Sequence, residues 1–347
     1  MSSTARPMPV APETVPDQPD RMRTPEPQGG PVRGHLRSAS WTKVSHGLYK
    51  PASDLDDSRE DLAAWALVLP ASGCFTHLTA ARLLGWWLPP LPAELPVFAS
   101  MSKTENRPRR AGLRVSRHPV APARRDHEGL PVAEPVEVLL ACARDLGLLD
   151  VVLLAEAAVH LGQCTTDELA TAARSRRYGA KRLGRALPVV DGRAESPWEL
   201  LLRILHVVCD VPVEPQHEVR DAQGVFVARG DLWIRGTTTI HEYDGAVHRE
   251  RRQHRKDLAR ERRIGAAAWT RHGYTDVDLL FQAAGILRDA DRVLGRAHNP
   301  LRVRAWYALL GESMFTEAGM TRVRRRWGLA PTGGHSLQGQ APRSRNS

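Results

Sequence analysis

The chain has 347 residues, of which 42% are hydrophobic, and this length predicts two domains that can each bury a core. It contains no apolar run of about 18 residues and no apolar signal region near its start, so we expect no membrane span, no secretion and a cytoplasmic location. The formal net charge of +10 is typical of proteins that bind nucleic acid, although a solvated basic surface would give the same composition.

Changes in composition divide the chain. The segments 1–35 and 331–347 lack hydrophobic periodicity, so we expect both to be disordered, the second as a basic tail. Between them we predict a mainly helical α+β domain over 36–190, a nuclease-like domain over 191–290 and a helical extension over 291–330. The four cysteines do not have zinc-site spacing, so we expect buried, reduced thiols.

The first predicted domain begins with a β-ribbon over Trp41–Lys50. After it we predict a helix over 57–69, a helix over 77–84, strands over 95–100 and 112–117, helices over 135–146 and 150–161, and a helix that begins after Thr165.

Three segments of this region, WTKVSHGLYKP, THLTAARLLGWWLP and PVAEPVEVLLACARDLGLLD, resemble the AbiEi-type antitoxin family of actinobacteria. The resemblance covers roughly 36–190. It implies a DNA-binding winged unit, of which this chain carries only a part, and a cognate toxin protein as a partner.

The second predicted domain opens with Ser196-Pro197-Trp198-Glu199, the pieces of a helix-initiating capping box. After this helix, which runs to about 209, we predict an edge strand over 211–220, strands over 229–235 and 238–243, a basic helix over 249–264, a strand over 267–271 and a helix over 276–287.

The stretch 225–248, VFVARGDLWIRGTTTIHEYDGAVH, predicts a two-stranded hairpin that turns at Gly236-Thr237. This register places Asp231 directly opposite Glu242, where their Cβ atoms would be roughly 5 Å apart. Two like charges at that separation destabilise a hairpin unless a cation offsets them, and Mg²⁺ or Mn²⁺ is the simplest candidate. We therefore predict Asp231 and Glu242 as metal ligands; the alternative is a pair of solvated strand acids.

The element order of helix, three strands, helix, strand and helix resembles the PD-(D/E)xK nucleases, and among them the very-short-patch repair endonuclease. The residues that carry this resemblance are Ser196, Glu199, Arg203, Asp231, Glu242, Tyr243, Asp244, Gly245, His248 and Arg255 to Asp257. It covers about 191–290. It implies a restriction-endonuclease-like mixed sheet flanked by helices, and metal-dependent hydrolysis of DNA.

Three further residues are candidates for the catalytic site. Asp244 stands where the family pattern has lysine, and is either another metal ligand or an acid beside the metal; alternatively it pairs with Arg229, which the register places opposite. His248 resembles a histidine beside the metal of the repair endonuclease, and the ordinary pKa of histidine suits acid–base work; the alternative is a surface-turn histidine. Glu199 would point at the metal, but its capping-box position explains it equally well.

The basic helix offers phosphate contacts. Arg251, Arg252, Arg255 and Lys256 are the predicted nucleic-acid-binding residues, and Lys256 is a candidate replacement for the family lysine. The alternative is a solvated helix face with ordinary ion pairs. His241 falls on the strand face opposite to Glu242, so we predict a structural role for it.

These patterns together predict a metal-dependent DNA endonuclease that hydrolyses phosphodiester bonds in defence or repair. One alternative is a non-catalytic DNA-binding antitoxin or transcriptional regulator with a degenerate nuclease fold. Another is a module that binds a neighbouring toxin protein.

Overall fold

The computed structural model describes residues 30–36, 40–52, 58–245 and 251–330, with the side chains of Ser58 and of 251–258 outside the description. This part of the chain is a mixed α/β fold, as the sequence predicted. The disorder expected over 1–35 is wrong at Val32–Arg33, which form a paired strand, while 1–29 and the predicted disordered tail 331–347 lie outside the described residues. No helix in the described ranges is long and apolar enough to cross a membrane.

Twelve α-helices form within the described ranges. They are α1 Ser58–Ala66, α2 His77–Leu83, α3 Pro135–Asp145, α4 Leu148–His160, α5 Thr166–Ala173, α6 Ala180–Ala186, α7 Pro197–Val208, α8 Arg251–Ala266, α9 Asp276–Phe281, α10 Ala283–Val293, α11 Val303–Glu312 and α12 Glu317–Arg326.

The strands of the same ranges form three sheets. They are β1 Val32–Arg33, β2 Trp41–Ser45, β3 Leu48–Pro51, β4 Cys74–Phe75, β5 Val97–Ser102, β6 Leu113–His118, β7 Arg124–His127, β8 Leu130–Ala133, β9 Val213–Arg220, β10 Phe226–Ile234, β11 Thr239–Tyr243 and β12 Thr270–Tyr274. The sheet orders are β1-β3-β2, β6-β5-β4-β8-β7 and β12-β11-β10-β9.

The predicted β-ribbon is confirmed as the antiparallel pair β2 and β3, and Gly47 in its turn has a φ of 64° that favours glycine. β1 also pairs with β3, so the paired structure begins before residue 36. The predicted helix after Thr165 is confirmed as α5, with a reciprocal capping box between Thr165 and Glu168. The β7–β8 hairpin was not predicted.

The four-stranded sheet contains the predicted nuclease-like elements, with β9 on the edge as expected. Helix α8 connects β11 to the parallel strand β12. One face of the sheet places Leu232 and Ile234 in the main core with α7. On the other face, Ile240 packs with Ile264 of α8. The sheet therefore lies between α7 and α8.

Two predictions in this region were wrong in detail. The last strand begins at Thr270 instead of 267, because α8 continues to Ala266 and Ala268 turns the chain with a φ of 60°. The single helix predicted over 276–287 is divided at Gln282, whose φ of −125° and ψ of 23° are not helical.

A single apolar cluster extends across the predicted domain boundary at 190. It includes Leu78 and Leu153 from the first half together with Leu200 and Trp306 from the second. The helices after α10 return to the first half, where Asp150 of α4 accepts a hydrogen bond from Met314 N at 3.1 Å. The four cysteines are buried and free, as predicted.

Candidate active site

The hairpin formed by β10 and β11 has the predicted register. Leu232 pairs with His241, so the next position along each strand brings Asp231 opposite Glu242. The amide of Tyr243 donates to Asp231 Oδ2 at 3.0 Å, which fixes this carboxylate against β11. Ile234 pairs with Thr239, so the turn is a four-residue loop over 235–238 and longer than the predicted two residues. The loop gains one residue on each side of the predicted Gly236-Thr237 turn, so the strand register is unchanged.

Side-chain alternation places Asp231 and Glu242 on one face of the sheet and His241 on the other. His241 is fully buried on the α7 face, where its Nδ1 lies 2.9 Å from Nε2 of His206. His206 Nδ1 lies 2.7 Å from the Leu202 carbonyl, which can only accept, so His206 Nε2 must accept from His241 Nδ1–H. Burial lowers the pKa of His206 to about 4. Neutral, hydrogen-bonded and buried, both histidines are structural.

Asp231 is the most perturbed carboxylate of the sheet. Burial raises its pKa to about 7, and the negative charges of Glu199 and Glu242 contribute to the rise. Its Oδ1 accepts no hydrogen bond from the described part of the chain, whereas Oδ2 accepts from Tyr243. Asp231 is therefore a half-satisfied carboxylate within the field of two other acids.

Glu199 joins this group from α7. Ser196 Oγ accepts from Glu199 N at 3.2 Å, as the predicted cap requires. The reciprocal half of the predicted capping box does not form, because Glu199 Oε2 accepts instead from Glu195 N and from Gln216 Nε2, both at 3.0 Å. Burial raises the pKa of Glu199. Capping alone thus does not account for the position of this carboxylate.

Glu242 is held by two arginines that were not among the predicted site residues. Arg260 of α8 donates to its two oxygens at 2.5 and 2.7 Å, and Arg271 of β12 donates to Oε2 at 2.5 Å. Although burial acts to raise the pKa of Glu242, these hydrogen bonds and charges lower it below its ordinary value. Two guanidinium groups thus provide the positive charge that compensates the Glu242 carboxylate.

Asp244 lies at the end of β11, beside β12. Its carboxylate forms an ion pair with Arg271, and its amide donates to the Tyr274 carbonyl at 2.7 Å. A Cβ at Gly273 would lie 1.8 Å from Asp244 Oδ2, so a larger residue at 273 would displace this carboxylate from β12. The alternative ion pair between Asp244 and Arg229 was wrong, because Arg229 pairs with Glu195 at 2.5 Å.

The remaining predicted site residues are only partly described. His248 lies outside the described residues, and Arg251, Arg252, Arg255 and Lys256 are described only by their backbone, at the start of α8. Arg203, part of the nuclease resemblance, forms ion pairs of 2.8 Å with Glu156 and with Asp191, apart from the acid cluster.

Within the described residues, no group of three or more His, Cys, Asp or Glu side chains has an arrangement that would hold a metal ion. Glu242 accepts hydrogen bonds from two arginines, whereas neither Asp231 nor Glu199 forms an ion pair with a described residue, and the Glu199 charge acts on Asp231. The chain matches no protein-family model, and neither a curated protein nor a solved structure matches it.

Proposed function

We propose that the Asp231 cluster is the centre of a divalent-metal-dependent hydrolysis of DNA phosphodiester bonds on a restriction-endonuclease-like fold. The observation that carries this proposal is the half-buried Asp231, which faces Glu242 across the hairpin and whose carboxylate lies in the field of Glu199 and Glu242. The order α7, β9, β10, β11, α8, β12 and α9 supports the fold assignment. Perturbed acids in such a cluster are typical of functional sites.

The donor set fits a hard cation such as Mg²⁺ or Mn²⁺. Asp231 and Glu199 would hold it, since Oδ1 of Asp231 has no hydrogen-bond donor in the described chain and the two carboxylates repel each other. Glu242 would join them if a guanidinium released one of its oxygens. When bound, the cation would supply a water of lowered pKa and polarise a phosphate oxygen.

The chain's own residues have complementary tasks in this proposal. Arg260 and Arg271 place two positive charges beside the acids, where they can offset the charge of a phosphate. Asp244 positions Arg271 through their ion pair. The basic residues at the start of α8 would bind the DNA backbone, and His248 would serve in proton transfer.

A second candidate function is non-catalytic DNA binding by a degenerate nuclease fold, acting as an antitoxin or regulator. The observation in its favour is that both oxygens of Glu242 already accept hydrogen bonds from arginine. In that case, guanidinium groups have replaced the metal permanently. DNA binding would then be unaffected by chelator and by neutral substitutions of the acids.

The first candidate is tested by incubating the full chain with supercoiled plasmid and with single-stranded DNA in Mg²⁺ or Mn²⁺. We expect cleavage that falls on the order of a hundredfold or more in Asp231→Asn and in Glu242→Gln. Glu261→Gln, which removes an exposed acid of α8, is the matched control and should cleave as the unaltered protein does.

Absence of cleavage by the unaltered protein, or cleavage that persists in Asp231→Asn, would refute the nuclease proposal. Chelator-insensitive DNA binding without cleavage would favour the second candidate instead.

A further inference from the structure

A cleft of about 920 Å³ opens between the five-stranded sheet and the end of α12 with the residues that follow it. None of its lining residues belongs to the four-stranded sheet, to α7 or to α8. It is thus a separate site from the Asp231 cluster, and no step of the proposed hydrolysis uses it.

The cleft is positively charged. Arg107, Arg114, Arg144 and Arg326 line it, together with Asp145 and Glu94. Four guanidinium groups against two carboxylates leave a net charge of +2. Guanidinium groups that converge on one cleft match the geometry of phosphate and carboxylate oxygens.

Three of these arginines are held in place by the protein. Arg144 donates to both oxygens of Asp145 at 3.0 Å, and Arg326 donates to the same carboxylate at 2.6 Å. Arg114 donates to the carbonyls of Trp327 and Arg326 at 2.7 and 2.9 Å. These bonds occupy only part of each five-donor guanidinium, so fixed N–H groups are left for a ligand.

Two buried side chains of the lining have polar atoms without partners. His77 is 0% exposed, and neither of its ring nitrogens has a hydrogen-bond partner. Its Nε2 is 3.5 Å from Asp145 Oδ2, too poorly placed for a hydrogen bond. The indole N–H of Trp327 also has no partner. All three nitrogens are shielded from solvent, so they lie beneath the surface of the cleft and its ligand contacts must come from the arginines.

Apolar groups complete the cleft. Leu95, Pro96 and Leu113 line it beside the arginines, and the ring of Phe98 stacks on His77 with centroids 4.3 Å apart. A bare inorganic ion would leave these surfaces without contact. The cleft instead suits a ligand with an anionic end and a larger, less polar body.

We propose that this cleft binds a small organic phosphate of nucleotide size, with the phosphate held by the arginines. Arg107 is the informative residue, because it is exposed and forms no ion pair or hydrogen bond with the described residues, so its guanidinium is free to reach the ligand.

The proposal is tested by calorimetric titration of the full chain with ADP. Chelator is included to remove any bound metal ion. We expect binding that weakens about tenfold in Arg107→Gln, the size of one lost charge-assisted hydrogen bond. Arg109→Gln removes another exposed charge two residues away, outside this cleft, and should bind ADP as the unaltered protein does. Asp231→Asn should also leave the affinity unchanged.

Inorganic phosphate and succinate are the comparison ligands. Weaker binding of both than of ADP supports a phosphate with an organic body. Equal binding of inorganic phosphate would overturn the requirement for that body, and tighter binding of succinate would overturn the preference for phosphate. No binding of ADP, equal binding by Arg107→Gln, or loss of binding in Asp231→Asn would overturn the site itself.

Discussion

Asp231 shows how the fold changes the chemistry of one carboxylate. On an exposed strand this residue would ionise near its ordinary value of 3.8, whereas burial and two acidic neighbours raise its pKa to about 7. The folded protein therefore holds this proton more tightly than the unfolded chain does. The contribution of this proton to the free energy of unfolding is fully present below about pH 4 and is lost as the pH rises through about 7.

Asp231→Asn should remove this pH dependence, because asparagine keeps the acceptor for Tyr243 N and carries no charge. We expect the free energy of unfolding to rise at pH 8 by an amount on the order of 2–4 kcal/mol, and to change little at pH 4. Urea unfolding at the two pH values measures this, with Asp167→Asn as an exposed control. Equal effects of Asp231→Asn at both values would contradict the raised pKa.

Residue-level prediction from the sequence succeeded where local geometry decides the outcome. The facing of Asp231 and Glu242 follows from strand pairing, and the burial of His241 follows from side-chain alternation. The two arginines that bind Glu242 were not predicted, because one comes from a helix with many similar arginines and the other from a strand whose start was misplaced. The facing acids predicted a positive charge beside them. Which groups supply that charge depends on tertiary packing, which the sequence pattern does not show.

Helix α8 packs against the sheet face that carries Asp231 and Glu242. Ile264 anchors it in a small apolar cluster with Ile240, while Arg260 bonds Glu242 and, at 2.7 Å, the Arg229 carbonyl of β10. The helix thus depends on a charged contact as much as on an apolar one. Breaking one partner of a largely buried ion pair leaves the other charge poorly compensated.

Arg260→Ala should lower the free energy of unfolding by about 1–3 kcal/mol, since Arg271 still compensates part of the Glu242 charge. Arg262→Ala, which removes an exposed arginine two residues along the same helix, should change it by less than about 0.5 kcal/mol. Denaturant unfolding of the two variants compares them directly. Equal stability of both would show that the Arg260 contact does not hold α8.

The elements themselves were largely predictable, because helix caps and strand composition are local signals. The start of α7 at Ser196 and the edge position of β9 follow from such signals. The division between α9 and α10 at Gln282 was not predictable, since the hydrophobic pattern continues through it. Short strands such as β7 and β8 carry too little periodicity to be recognised.

At the scale of the whole molecule, the two predicted halves share one apolar core. Trp306 of α11, which is fully buried, packs in the same cluster as Leu78 and Leu153 of the first half. Its indole N–H donates to the Leu279 carbonyl at 2.9 Å. Composition alone could not reveal this continuity, because it arises from helices that return to the first half of the chain.

We propose that Asp231 and Glu199 hold a divalent cation in the folded chain, and the proposed hydrolysis depends on this binding. Calorimetric titration with Mg²⁺ tests it most directly, on the unaltered protein, on Asp231→Asn and on the exposed-acid control Glu261→Gln. We predict one binding event in the unaltered protein and the control, weakened by about tenfold or more in Asp231→Asn. Absence of Mg²⁺ binding, or binding of equal strength in Asp231→Asn, would contradict the claim.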